Sequence, residues 1–215
     1  FVITAYLLII SLIRAQNSPQ QGIVGGVLKD EKNGSLVFYI KREQGIDSDN
    51  FTIDTERNES VTAIDTDFNR KIEYLPLGVG AIFPNLLEYR ALGSCVKTLN
   101  PLNFKGLSKL RDLNLQNNQI TTINSADFQY LGSLVFLQLS ENNFSHISND
   151  AFEPLTKLSS LNLYVNQIKT LNFKIDSLTE LWSLTLSHNQ IVDIPDDFCK
   201  NNKKLKYLEL SNNKI

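Results

Sequence analysis

The 215-residue sequence predicts an α/β solenoid, with one short strand per turn in a parallel sheet and mostly irregular segments on the opposite side. The prediction rests on spacing and on repetition. From Leu110 the apolar residues follow the pattern L-x-x-L-x-L-x-x-N-x-I-x-x-I, and from Leu134 the same pattern begins again. Further copies begin at Leu158, Leu181 and Leu205. A fixed period of roughly twenty to thirty residues with this pattern is typical of a coil whose turns stack on one another.

The L-x-L segment of each copy predicts a short strand, because alternate residues such as Leu113 and Leu115 point to the same side of a sheet. One turn cannot bury its own leucines, so the turns must stack around a common core. An Asn follows each segment, and its amide offers two donors and an acceptor to backbone groups of neighbouring turns. The sequence therefore predicts a structural ladder of Asn118, Asn142, Asn166, Asn189 and Asn213.

These repeats resemble those of extracellular leucine-rich repeat proteins, a family that includes Toll-type receptor ectodomains and secreted immune recognition proteins. The resemblance covers Val61 to Ile215, and the run YLPLGVGAIFPNL from Tyr74 to Leu86 is similar to the lead-in repeat of insect members. It implies a curved, horseshoe-shaped solenoid with the parallel sheet on its concave face and partners bound there. It implies no particular partner.

The N-terminal part of the chain divides into two predicted regions. Residues 1–15 are apolar up to Ile13 and predict a signal peptide that lacks its initiating Met, with a truncated membrane anchor as the alternative. Residues 16–60 predict a leader followed by a β cap over the first repeat. Within it we expect the stretch from Gln16 to Ser35 to be irregular. The expected strands are Leu36 to Lys41, Phe51 to Asp54 and, at the start of the repeats, Val61 to Asp65.

Residues 61–215 form the predicted repeat domain, and the array is cut off inside a repeat. Gly80 stands where later copies carry a Phe, and Ser94 stands where they carry the ladder Asn. The copy that begins at Leu158 is one residue shorter, and we place Ile175 at the position that Phe152 has in the copy before it.

The outer segment of the copy that begins at Leu181 also departs from the pattern. Asn201 and Asn202 lie where Leu131 and Leu155 lie in earlier copies. Since polar residues replace an apolar position there, a looser outer turn is expected.

Four Asn-x-Ser/Thr sequons agree with an extracellular location, either secreted or on the outer face of the plasma membrane. They predict glycosylation at Asn33, Asn50, Asn58 and Asn143. Asn143 directly follows a ladder Asn, so its side chain is expected to point outward, where a glycan would fit.

The chain has two cysteines, Cys95 and Cys199. They lie four predicted turns apart, or roughly 19 Å along the coil, whereas the Cα atoms of a disulfide lie within about 7 Å of each other. We therefore expect no disulfide between them. Each is either a free thiol or one half of a bond to another chain, so a partner chain, disulfide-linked or non-covalent, is among the expected partners.

The residues that alternate with the leucines of each strand are expected to face the concave side. Most are small and polar, whereas large aromatic residues at such positions are typical of binding hot spots. The predicted ligand-binding residues are Arg90, Phe136, Gln138, Tyr164, Trp182, Thr185 and Tyr207. The expected ligand is a protein or a glycan. The alternative is that the aromatic rings pack on one another and only cover the sheet.

Other chemistry has little support in the sequence. The formal net charge is −2, and the cluster Lys200, Lys203, Lys204 and Lys206 is interpreted as a solvated outer face, so no nucleic-acid partner is expected. Two His and two Cys on different turns make a zinc site improbable. Neither His146 nor His188 has a nucleophile at a recognisable spacing. We therefore predict no catalytic residue, no metal, no cofactor and no enzyme activity.

Three functional hypotheses follow. The chain is a soluble recognition protein, as in innate immunity; or the ectodomain of a receptor whose membrane span and signalling parts lie beyond residue 215; or a structural matrix or adhesion protein. In the first and third hypotheses the chain meets no membrane, and in the second it does so only through a C-terminal segment beyond this sequence.

Overall fold

A computed structural model describes residues 25–30, 36–41, 61–66 and 72–215. The strands are β1 (Gly25–Asp30), β2 (Leu36–Lys41), β3 (Val61–Asp65), β4 (Glu88–Arg90), β5 (Asp112–Asn114), β6 (Phe136–Gln138), β7 (Ser160–Asn162), β8 (Ser183–Thr185) and β9 (Tyr207–Glu209). The helices are α1 (Val79–Ile82) and α2 (Ser125–Phe128). In the described part of the chain, neither helix has the length or the apolar character needed to span a bilayer.

The strands form one sheet in sequential order from β1 to β9. Strands β1 and β2 pair antiparallel, and every later pair is parallel. The seven strands β3 to β9 each belong to one turn of a solenoid, with the outer side built mainly from turns. The predicted fold class is therefore confirmed.

The core is a continuous column of apolar side chains inside the turns. The central leucines of successive strands, such as Leu113 and Leu137, are fully buried and lie in register. A second column of buried side chains lies beneath the outer segments and consists of Phe rings that pack against each other from turn to turn. Phe128 stacks on Phe152 with centroids 6.5 Å apart, and Phe152 meets Phe173 at 5.5 Å. Each such buried side chain contributes roughly 1.5–3 kcal/mol through the area it removes from water.

The ring of Phe173 corrects one prediction. We expected Ile175 to take the position of Phe152 in this shorter turn. Both side chains are buried, but the ring of Phe173 packs between Phe152 and Phe198 and continues the aromatic column. Because the turn lacks one residue, a Phe two positions earlier reaches the space that the pattern assigns to a later residue.

The outer segment at Asn202 is also less loose than expected. Asn202 is buried, and its Nδ2 group donates hydrogen bonds to the carbonyl oxygens of Ile175 at 2.8 Å and Leu178 at 2.9 Å. These two bonds tie the last outer segment to the preceding turn, where earlier copies use apolar contact.

The five ladder Asn residues each connect two turns. The Oδ1 atom of Asn142 accepts from the backbone N–H of Ile120 at 3.0 Å, and its Nδ2 donates to the carbonyl of Leu115 at 2.9 Å. Both partners lie in the preceding turn. The other four rungs repeat this geometry for Asn118, Asn166, Asn189 and Asn213. The rungs therefore satisfy backbone groups that would otherwise be buried without partners.

The first rung of the ladder uses hydroxyl groups in place of amides. Thr66 and Ser94 are both buried, and their side-chain oxygens lie 2.9 Å apart in a hydrogen bond. Thr66 thus has the ladder position of the first turn, which the sequence pattern did not reveal.

The residue before each ladder Asn has a left-handed backbone. These residues are Asn117, Glu141, Val165, His188 and Asn212, with φ between 50° and 57°. The left-handed residue turns the chain inward and delivers the Asn side chain to the core.

Strand β1 was not expected, because Gly25 and Gly26 suggested an irregular leader. Its backbone pairs with β2 from Gly25 opposite Lys41 to Asp30 opposite Leu36. The sequence signal that points to it is the dipeptide Asn33-Gly34 between two apolar stretches, which favours a hairpin. The predicted strands at β2 and β3 have the expected bounds. The predicted signal peptide, the strand Phe51 to Asp54 and three of the four sequons lie outside the described residues.

Candidate functional site

The concave face consists of side chains that alternate with the buried leucines. Strand pairing sets them in two rows that cross the sheet. The first row is Glu88, Asp112, Phe136, Ser160, Ser183 and Tyr207. The second row is Arg90, Asn114, Gln138, Asn162, Thr185 and Glu209. Both rows agree with the register that the sequence predicts.

Three large aromatic side chains stand exposed on this face. The exposed fraction is 45% for Phe136, 44% for Trp182 and 53% for Tyr207. Trp182, which precedes β8, packs edge-on against Tyr207 with ring centroids 4.6 Å apart. The two rings thus cover each other in part, and both keep a large open surface.

Between these aromatic side chains lies a space that we call the serine trough. Its floor is Ser160 and Ser183, and its walls are Phe136 on one side and the pair Trp182–Tyr207 on the other. Phe136 and Tyr207 lie three strands apart in the same row, which corresponds to about 14 Å. Since serine is small, the floor lies well below the tops of the walls.

Tyr164 lies away from the serine trough. It follows β7 and packs edge-on against the ring of His188, with centroids 5.0 Å apart. The Nε2 atom of His188 lies 2.9 Å from Nδ2 of Asn212. The structure therefore groups Tyr164 with His188 at the C-terminal ends of the strands, and not with the other three aromatic residues.

Arg90 belongs to a group of charges that we call the acidic end, formed by Asp65, Glu88, Arg90 and Asp112. The guanidinium of Arg90 forms an ion pair with Glu88 and lies 3.9 Å from the carboxylate of Asp65. Burial and the neighbouring Glu88 carboxylate raise the pKa of Asp112, while Arg90 lowers it. Glu88 and Asp112 lie side by side on adjacent strands and place two carboxylates beside the one guanidinium of Arg90, so this pair of positions keeps a formal negative charge.

The second row supplies neutral hydrogen-bonding groups between the acidic end and the serine trough. The Oδ1 atoms of Asn114 and Asn162 accept from the backbone N–H groups of Gln116 at 3.0 Å and Tyr164 at 2.9 Å. No described residue accepts a hydrogen bond from the NH2 group of either amide, so both groups can donate to a ligand. Gln138 and Thr185 are half-buried in the same row.

The two cysteines are both free and partly buried. Cys199 packs against the hydrophobic core, and burial raises the pKa of its thiol. Asn143, the one predicted glycosylation site among the described residues, is exposed. On the outer side, a cavity of about 190 Å³ lies between the loops 169–172 and 192–195. It is small for a drug-sized ligand, which makes the concave face the stronger candidate.

Comparison with known proteins identifies the repeats. The leucine rich repeat family profile matches residues 94–144, 136–191 and 179–215, which together span more than half of the chain. The chain belongs to the leucine-rich repeat family. Proteins of this family are generally interaction scaffolds that bind protein ligands. A comparison with curated proteins gives no match.

Solved structures of other leucine-rich repeat proteins are similar in fold. The functional domain of InlJ from Listeria monocytogenes is 21% identical, with a TM-score of 0.55, and covers 72% of this chain and 31% of its own. The internalin inlF from Listeria monocytogenes is 25% identical, with a TM-score of 0.56 and coverages of 72% and 43%. TLR13 in the TLR13-ssRNA13 complex is 22% identical, with a TM-score of 0.54 and coverages of 70% and 24%. The chain thus spans less than half the length of each.

Sequence reasoning about this leucine-rich repeat chain missed part of the site. Ser160 and Ser183 shape the serine trough, and Glu88 and Asp112 give the acidic end its charge. The signal was present in the rows, where two serines lie between aromatic positions and two acidic residues lie side by side in register. Each residue alone is ordinary on a solvated sheet, so only the register brings out the arrangement.

Proposed function

We propose that this leucine-rich repeat chain is an extracellular recognition module that binds a protein partner through its concave face. The observation that carries the proposal is the exposure of Phe136, Trp182 and Tyr207, each more than two-fifths exposed, on a face whose other row positions are polar or charged. Large aromatic residues that are buried by a partner commonly contribute about 2 kcal/mol or more to binding.

The extracellular location is supported by the sequence. The apolar run from Phe1 to Ile13 is typical of a signal peptide, and four sequons accompany it. Asn143 is exposed, as a glycan acceptor must be. A role in innate immunity is part of the proposal, and the resemblance to Toll-type ectodomains supports it.

The proposal includes neither catalysis nor a cofactor. It favours a protein over a nucleic acid, because the acidic end repels phosphate. RNA is nevertheless the right comparison ligand, since one similar structure is a complex of TLR13 with ssRNA13. A glycan is the second comparison ligand, because aromatic side chains also contact sugars.

Location and glycosylation are tested together. The 215-residue chain, preceded by an initiating Met, is expressed in cultured insect cells, and the medium and cell fractions are treated with peptide N-glycosidase F. The expected result is protein in the medium whose mass falls on treatment, with a smaller fall for Asn143→Gln. Untreated-size protein that stays inside the cells contradicts the proposed location.

Binding is tested by capture of partners from extracellular fluid, followed by reconstitution with the purified partner. The double variant Trp182→Ala and Tyr207→Ala is expected to weaken binding of that partner by at least about a hundredfold. The matched control is Leu102→Ala, because Leu102 is 44% exposed on the outer side. Equal binding by the wild type and the double variant contradicts recognition through this face.

A further inference from the structure

We propose that the concave face binds an extended peptide segment of the partner, which carries a Lys or Arg side chain and a large apolar side chain four residues apart. The basic side chain lies at the acidic end and the apolar side chain lies in the serine trough. The inference rests on the proposed function and names the chemistry that the partner must offer.

The acidic end determines the charge of the segment. Glu88 and Asp112 are neighbours on adjacent strands. The guanidinium of Arg90 pairs with Glu88 and lies near Asp65, so Asp112 has no ion-pair partner among the described residues. Arg111, which immediately precedes Asp112 in the chain, is exposed. It forms no ion pair in the described part of the molecule. A cation from the partner relieves the repulsion between Glu88 and Asp112, whereas a phosphate or an anionic glycan increases it.

The serine trough determines the second side chain. Its walls are aromatic, its floor is small, and its length across the strands is about 14 Å between the Cα atoms of Phe136 and Tyr207. A Leu, Ile or Phe side chain fits between such walls and covers the exposed ring surfaces. At the far end of the face the formal charges of Lys206 and Glu209 sum to zero, so no net formal charge opposes an apolar group there.

The spacing of the two subsites determines the spacing in the segment. The middle of Glu88 and Asp112 and the middle of Ser160 and Ser183 lie three strands apart, or about 14 Å. An extended chain advances about 3.3 Å per residue, so four residues span the distance. Four is an even number, and side chains at i and i+4 of an extended segment therefore point to the same side. Between the subsites, the NH2 groups of Asn114 and Asn162 are donors for the carbonyl oxygens of the segment.

The chain contains its own reporter for this interaction. Trp182 is the only Trp in the sequence, and it forms one wall of the serine trough. Its fluorescence therefore reports directly on occupation of the trough, without a label.

The experiment titrates the full chain with capped peptides that lack aromatic residues. The test peptides are Gly-Lys-Ser-Thr-Ser-Leu-Gly and the peptide with the reverse sequence. Both are needed because the segment can cross the sheet in either direction. The comparison peptides place Leu one residue closer to Lys, or replace Lys by Glu. The expected result is a change in Trp182 emission at a Kd at least about tenfold lower for one test peptide than for either comparison peptide. Binding is expected to weaken as salt is raised.

Variants of the chain test the acidic end. Asp112→Asn, which keeps the side-chain shape, is expected to weaken the test peptide about tenfold and to leave a Leu-only peptide unchanged. Glu153→Gln is the matched control, since Glu153 is exposed on the outer side. Ser183→Leu fills the trough and is expected to abolish the response to every peptide.

Three outcomes overturn the inference: equal binding of all peptides, equal binding by the wild type and Asp112→Asn, or a Trp182 response only to single-stranded RNA or a neutral oligosaccharide. The inference can fail while the proposed function stands. This is the result if the double variant Trp182→Ala and Tyr207→Ala weakens binding of the purified partner and no peptide changes the emission of Trp182.

Discussion

Gly80 of α1 packs directly against the backbone of Gly106, where the outer segments of two successive turns meet. A Cβ atom on Gly80 would lie 2.7 Å from the carbonyl carbon of Gly106 and 2.9 Å from its Cα. Gly106 itself has a φ of 87°, a conformation that suits glycine. The degenerate first repeat thus replaces the Phe of later turns by backbone contact.

Gly80→Ala should therefore destabilise the protein by about 1–3 kcal/mol, because the added methyl group meets backbone that cannot rotate away. This loss exceeds the gain of up to about 1 kcal/mol that Ala brings to a helix. The midpoint of urea unfolding, followed by circular dichroism, measures the change. Gly132→Ala is the control, since nothing lies within 4 Å of its added Cβ. Equal midpoints for the two variants would show that the contact at Gly80 relaxes without cost.

Asn142→Ala should lower the free energy of unfolding by about 2–4 kcal/mol. It leaves the buried Ile120 N–H without its acceptor, which costs about 1–3 kcal/mol. It also removes one of the two donors to the Leu115 carbonyl, which keeps its hydrogen bond from Nδ2 of Asn118, and this loss costs about 1 kcal/mol. Asn143→Ala changes the neighbouring exposed Asn and should alter stability by less than about 0.5 kcal/mol. Thermal and urea unfolding of the two variants decide the matter, and similar midpoints would refute the structural role of the rung.

Tyr89 makes stability depend on pH in the alkaline range. Its hydroxyl is buried without a hydrogen-bond partner among the described residues, and burial raises the pKa of Tyr89. Above pH of about 10 the phenol ionises in the unfolded chain but stays protonated in the folded one, so stability is present below that pH and falls as pH rises. The expected slope is up to about 1.4 kcal/mol per pH unit.

Tyr89→Phe should remove this slope and raise stability near pH 7 by about 1 kcal/mol, because an unsatisfied hydroxyl is lost. Urea unfolding of the variant and the wild type at a series of pH values provides the measurement. Tyr130→Phe, at a half-buried position, is the control and should keep the slope. A decrease in stability on Tyr89→Phe would mean that the hydroxyl contributes to the folded state.

Val165→Asn should stabilise the protein by about 1 kcal/mol. Val165 has a φ of 50°, and a β-branched residue in the left-handed region costs about 1–2 kcal/mol. Asn occupies the same position at Asn117 and Asn212. Val192→Asn changes an exposed Val whose φ is not positive, so no gain is expected there. The difference between the two melting temperatures tests the prediction, and a gain at Val192 alone would oppose it.

The regular part of the fold follows from the sequence because the same residues recur at the same spacing. Leu113 and Leu137 have the same position in successive repeats, so the sequence predicts that they lie opposite each other on adjacent strands. This register determines which residues form both rows of the concave face. The role of Phe173 was missed because the shortened turn offers two apolar residues, Phe173 and Ile175, for one position. Strand β1 was missed because its pairing with β2 overrides the local tendency of Gly25 and Gly26.

The candidate site followed from the sequence only in outline. Exposed aromatic residues were predicted at Phe136 and Tyr207 because they interrupt a polar row, and at Trp182 because it flanks the rows just before β8. That Trp182 packs on Tyr207, while Tyr164 packs on His188, depends on side-chain orientation that spacing does not determine. The serine trough was not predicted because a small residue signals nothing until its neighbours in space are known.

The rungs of the ladder all point in one direction along the chain. Asn142 reaches back to Ile120 and Leu115, and Asn166 reaches back to Phe144 and Leu139. A ribosome releases the N-terminal turn first. The carbonyls of Leu115 and Leu139 can already bond to the Asn of their own turn. The N–H groups of Ile120 and Phe144, in contrast, leave the exit tunnel bonded to water and gain their buried acceptor only when the following turn has been synthesised. Folding of the solenoid consequently trails translation by one repeat, and a pause within any repeat leaves the turn before it incomplete.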